Sequence, residues 1–182
     1  IELLSSDAFE GRAPGTEGEQ KTLAYIEQQF RAAGLKPGIG DSYLQPVPVV
    51  EILPHADAAM RLAGAGGKLL ELRSPDDVVV WTKRPVPSTS IANAEVVFAG
   101  YGLSVPEDGK NPRYNSYDGL EVKDKIVLLL RYVPESVEPA RRAQLNRYAG
   151  LRYKAMMARE RGAKAVLVVS GPDSPGAGEL LG

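Results

Sequence analysis

The chain has 182 residues, enough for one domain or for one domain and part of another. Apolar residues make up 43% and charged residues 25%, and the net charge is −1, so there is no basic field for nucleic acid and no polybasic stretch for anionic lipid. With no cysteine and one histidine, disulfides, thiolate metal sites and a Cys nucleophile are excluded. No apolar run approaches the roughly twenty residues that span a bilayer.

The first element in chain order is a leader helix. Thr16 followed by Glu19 forms a capping box. Leu23, Ile26, Phe30 and Ala33 recur at helical spacing and share one face. Gly34 and Leu35 are the expected stop and fold-back contact, and Pro37 forbids continuation. The apolar stripe needs a partner surface; the helix is expected to pack on the chain's own domain or on a second copy in a dimer, or to be disordered.

The period then changes. Tyr43 to Leu53, interrupted by Pro46 and Pro48, predicts an edge strand or crossing segment. Met60 to Leu72 alternates around Gly64, Gly66 and Gly67 and predicts a hairpin. Val78 to Thr82 and Ala94 to Tyr101 predict further strands, with a Pro/Ser loop from Lys83 to Ser90 between them. Ile126 to Leu130 is a continuous apolar run, as in a strand covered on both faces. Pro139 to Arg161 is helical in composition with a break near Gly150, and Tyr148, Leu151, Ala155 and Ala158 are expected on one face. Gly162 ends it, and Ala165 to Val169 is another buried strand. Strand, helix and strand make a parallel βαβ unit with a right-handed crossover. The expected class is α+β: a β-rich, curved, barrel-like body with one βαβ unit, preceded by the leader helix.

Chemistry has few places to sit. His55-Ala56-Asp57 has the His-x-Asp spacing of some zinc ligands, but no second histidine completes a catalytic set. A solvated turn is the favoured reading. A Ser-His-Asp triad would also need His55, and no Gly-x-Ser-x-Gly elbow is present. The acidic pairs Asp76-Asp77 and Glu107-Asp108 lie in polar loops, where carboxylates are usually solvated; they are what a small carboxylate-dependent hydrolase would have to use. Gly100-Tyr101-Gly102 follows a strand without opening a helix, so it marks a bend rather than a phosphate loop. The irregular stretch Pro106 to Gly119 carries aromatics, amides and charges. With Tyr101, its residues Arg113, Tyr114, Asn115, Tyr117 and Asp118 form a candidate recognition loop.

Several blocks carry a resemblance. Leu4-Ser5-Ser6-Asp7, Glu10-Gly11-Arg12, Gly15-Thr16-Glu17-Gly18-Glu19, Tyr25-Ile26 and Gly34-Leu35-Lys36-Pro37 resemble the N-terminal segment of the co-catalytic di-zinc aminopeptidases, family twenty-eight of the metallopeptidases. Val97 to Gly102 resembles the opening strand of the protease-associated domain inserted in many of those enzymes. Tyr117 to Val127 resembles its signature turn and central strand, and Arg161 to Val166 its helix-to-strand corner. Asn115, Ser116 and Asp118 depart from the family's acidic pattern, and Asp124 stands where glycine is common.

The resemblance implies two domains. Residues 1 to about 48 would be the first helix and edge strand of a peptidase domain, and about 49 to 182 the protease-associated domain. It implies a non-catalytic module that limits substrate access or binds peptide or protein, in an exported zinc exopeptidase removing N-terminal residues. Two zinc ions belong to that parent enzyme and none to this chain, because the family's ligands follow the insertion. The chain alone is then expected to hold no stoichiometric zinc and to be inactive. Its partners would be the missing peptidase domain and a peptide or protein substrate, with no nucleic acid and no membrane span. The Gly-rich close from Gly176 to Gly182 fits a chain that continues. A free-standing binding module is the alternative, since such domains also occur in sorting receptors.

Overall fold

A computed structural model describes residues 1–53, 59–172 and 174–177. The chain forms two compact units, Ile1–Glu51 and Ile52–Gly182.

The first unit is built around α1 (Glu17–Ala32). Thr16 caps it, its hydroxyl accepting from the Glu19 amide at 3.3 Å. The reciprocal bond lands one residue early, from the Gly15 amide to the Glu19 carboxylate at 2.7 Å. At the other end Gly34 N–H donates to Arg31 and Leu35 N–H to Phe30, the paired bonds of a Schellman stop. Two short 3₁₀ segments, Leu3–Ser5 and Asp7–Arg12, precede the helix. The second packs on it where Gly18 leaves room: a Cβ there would stand 2.2 Å from the Phe9 carbonyl oxygen. Phe9 is buried, edge-on to Tyr25. Beyond the stop the chain folds back. The Tyr43 hydroxyl donates to the Leu35 carbonyl at 2.6 Å, and its ring meets Phe30 and Arg31. The stripe keeps its exposure, with Leu23 and Phe30 among the accessible apolar residues. The strand expected over Tyr43 to Leu53 does not form; there is only an isolated bridge between Ile39 and Ser42. Pro46 and Pro48 have no N–H for a ladder.

The second unit opens with the expected hairpin, β1 (Met60–Ala63) antiparallel to β2 (Leu69–Leu72). Arg73 to Glu95 carries no regular structure, so the strand expected at Val78 to Thr82 is absent. Its β-branched residues meet no neighbouring strand among the described residues, and strand propensity without a partner does not make a strand.

The centre of this unit is a parallel sheet of β3 (Val96–Phe98), β6 (Ile126–Leu130) and β7 (Ala165–Val169), with β6 in the middle. Between β3 and β6 lies a small antiparallel pair, β4 (Ser104–Val105) and β5 (Tyr114–Asn115). Between β6 and β7 the chain runs through α2 (Pro139–Asn146) and α3 (Leu151–Glu160). The class is therefore α+β, with a leading helix and, among the described residues, three small sheets and no closed barrel. A sheet of three parallel strands has too few strands to close.

The core lies on one face of the parallel sheet. Val97, Val127, Leu129, Val166 and Val168 pack with Tyr117, Val122, Met157 and Ala158. A second cluster joins Leu103, Val105, Val133 and Leu145, flanked by Tyr101, Tyr114 and Tyr148. The buried residues of the helical segment are Gln144, Leu145, Lys154, Met157 and Ala158; of the expected line Tyr148, Leu151, Ala155 and Ala158, only Ala158 is fully buried and the other three are half-buried. The break over residues 147–150 resets the helical phase, so one periodicity cannot describe both halves.

Candidate functional site

The carboxyl ends of β3 and β6 lead into loops that carry Tyr101, Tyr132 and Glu135. In open sheets of parallel strands, ligand crevices form at that end. After β3, Gly100-Tyr101-Gly102 bends sharply, with Gly102 N–H donating to Ala99 at 2.9 Å. Gly102 has φ 61°, and a Cβ there would meet Leu129 Cδ2 at 2.7 Å, so only glycine fits.

Lys154 anchors the end of β6. It is fully buried, and its ammonium donates to the carbonyls of Leu130 at 2.8 Å and Tyr132 at 2.6 Å. Its nitrogen lies 5.8 Å from the Tyr101 ring centre. Desolvation lowers its pKa to about 8. Beside it, Tyr132, Val133, Glu135, Arg142, Asn146 and Pro175 line a groove of about 430 Å³. Arg142 bonds the Glu135 backbone carbonyl, tying α2 to the loop after β6.

The candidate recognition residues separate into packed and exposed groups. Tyr117 is buried, its hydroxyl without a hydrogen-bond partner among the described residues. Burial raises its pKa, while the Arg161 guanidinium 4.5 Å from the ring centre acts in the opposite sense. Tyr101 and Tyr114 are half-buried against the second cluster. Arg113 and Asp118 are exposed and paired, Asp118 accepting from Arg113 and from the Asn115 amide, both at 2.5 Å. Asn115 in turn accepts from the Tyr117 N–H at 3.2 Å. The structure thus joins Arg113, Asn115, Tyr117 and Asp118 in one turn, with the Tyr117 ring buried and the Arg113 and Asp118 side chains exposed.

Three contributors escape sequence reasoning. Lys154 reads as a solvated helix residue, because lysine is rarely buried without a counter-ion. Arg161 reads as a helix-end cation, yet it covers Tyr117 and bonds Ser104 Oγ at 3.3 Å and the Met157 carbonyl at 2.9 Å. Gln144 is buried and reaches Asp108 across 2.8 Å. Asp108 also accepts from the amides of Lys110 and Asn111, and the Asn111 bond leads the causes that lower its pKa. Asp77 likewise caps its own turn, accepting from Arg73 N–H at 2.9 Å. In both acidic pairs, then, one carboxylate holds a loop.

Among the described residues no three His, Asp or Glu side chains converge as a metal would need. His55-Ala56-Asp57 lies outside the described residues. No chemical step is therefore routed through a metal here. No helix among the described residues is long and apolar enough to cross a membrane. Compared with family models, with curated proteins and with solved structures, the chain matches none.

Proposed function

We propose that the chain is a protease-associated module, with the leading segment of the peptidase domain, of an exported zinc aminopeptidase. In this reading it is non-catalytic and governs access or binding of peptide or protein at the carboxyl ends of its parallel strands. The observation that carries the reading is the order of the sequence blocks, from Leu4 through Pro37 and from Val97 through Val166.

Local geometry supports the assignment of the blocks. The Tyr117 to Val127 block is one structural unit: a turn closed by Leu120 N–H to Tyr117, the buried Val122, and then the central strand β6. Asp124, which stands where the family favours glycine, has φ 62°, the left-handed conformation that glycine adopts at least cost. Its N–H donates to Gly162 at 2.9 Å, which joins this block to the Arg161 to Val166 corner.

The test has two parts. Reading the coding sequence beyond Gly182 is expected to give a His-x-Asp and then a Glu-Glu pair. The purified chain, supplied with zinc, is expected to leave aminoacyl substrates intact and to retain no stoichiometric metal. A gene ending at Gly182, or turnover by the chain unaided, would overturn the proposal.

A further inference from the structure

The parallel sheet has a second face. Its rows are Val96, Ile126 and Ala165, then Phe98, Leu128 and Leu167, then Leu130 and Val169. All eight are apolar, and none belongs to a buried cluster. Phe98 is 55% exposed, Val169 43% and Val96 39%, and the other five are half-buried. Strands of parallel sheets are as a rule covered on both faces, and these strands carry apolar side chains on both.

The dimensions of the face limit what can cover it. Three strands at about 4.8 Å spacing and five residues at about 3.3 Å rise give a surface of roughly 14 by 17 Å. That is about 240 Å², well short of the ~800 Å² per partner of a stable protein interface. The face is therefore too small for a second copy docked on it alone, and matches a single short segment. A tryptophan side chain by itself covers about 150–250 Å².

The same unit holds such a segment. Val78-Val79-Val80-Trp81 is an apolar run of strand-forming residues without a strand partner among the described residues. Trp81, the one tryptophan of the chain, is 57% exposed, and Val79 and Val80 are exposed beside it. The run sits in the irregular stretch Arg73 to Glu95, longer than connections of this kind usually are. That stretch leads directly into β3, whose Val96 and Phe98 begin the open face. The tether from Thr82 to Ala94 can span up to about 43 Å, far more than the sheet's width.

We propose that Val78–Trp81 is a strap that closes over the open face of the β3–β6–β7 sheet, with Trp81 seated against Phe98. The structure then records the open arrangement. This proposal does not depend on the assignment to a peptidase.

Because Trp81 is the single indole, its fluorescence reads the strap directly in the intact chain. Closure predicts emission shifted to the blue of the urea-unfolded chain, and several-fold weaker quenching by acrylamide. Phe98→Lys and, independently, Val169→Lys place a charge on the face at exposed positions. Each is expected to move the emission to the red and restore quenching to the unfolded level while leaving far-UV circular dichroism unchanged. Leu69→Lys, exposed on the hairpin, serves as the control that leaves both unchanged. The proposal is overturned if Trp81 in the parent chain is quenched as readily as in urea. It is equally overturned if the blue-shifted emission survives in whichever face variant folds, or if it disappears on dilution, which would assign the cover to a second copy.

Discussion

A lysine ammonium buried without a carboxylate is costly, and Lys154 offsets part of that cost by holding two backbone carbonyls at the end of β6. Its pKa, lowered from 10.5 to about 8 by burial alone, makes the balance measurable. Below about pH 8 the group is protonated in both folded and unfolded chains, and folding bears the whole burial cost. Between about 8 and 10.5 the unfolded chain binds more protons than the folded one, so stability rises with pH there. At about 1.4 kcal/mol per pH unit the full rise is ~3 kcal/mol. In Lys154→Met the rise is absent. Near neutral pH the variant is expected within ~2 kcal/mol of the parent, since the carbonyls it orphans oppose the charge it removes. Urea midpoints of the two chains from pH 7 to 10.5 check this, and parallel curves would refute it. Nothing in the sequence announces this residue. Helical periodicity predicts which positions turn inward but takes a lysine there as a sign of the outward face, and the phase shift after residue 146 hides the true face further.

At the scale of elements, what was legible depended on how locally each element is determined. The ends of α1 are set by residues within five positions of one another, and Thr16, Glu19, Gly34 and Leu35 place them. Thr16→Ala is expected to cost about 1 kcal/mol of stability in the first unit. Amide exchange should accelerate at Glu19 and the residues after it, while amides of β6 and β7 keep their protection; uniform acceleration throughout the chain would contradict it. The hairpin β1–β2 and the apolar runs of β6 and β7 were legible for the same reason: turn glycines and continuous apolar runs act over short range. Strands that depend on distant partners were not. Tyr43 to Leu53 and Val78 to Thr82 have the composition of strands and no ladder, whereas β5 forms within Pro106 to Gly119, which reads as a plain loop, and pairs with β4 just before it. Val105 and Tyr114 pack with Val133 and Leu145, which no window of local sequence around them contains.

For the whole molecule, the sequence carries the candidate site's turn residues but not its arrangement. Arg113, Asn115 and Asp118 fall together because they are close in the chain, whereas Arg161 and Lys154 arrive from α3 and its end by folding. The division into two units also has a physical consequence. Between them runs a segment in which Val47, Val49 and Val50 are each about two-thirds or more exposed and in which no regular element occurs. Proteases cut where the backbone can adapt to their clefts, which α1, β6 and α3 resist through their own hydrogen bonds. Elastase, which cleaves after small aliphatic residues, should therefore make its first cuts between Val47 and Leu53 or in the irregular stretch Arg73 to Glu95, where Val79 and Val80 are also exposed. The C-terminal product contains both buried clusters and all three strands of the parallel sheet, so it should persist, keep its far-UV circular dichroism and unfold cooperatively. Mass spectrometry of the early digest locates the cut. A first cut inside β6 or α3, or immediate loss of the C-terminal product, would show that the second unit does not hold together without the first.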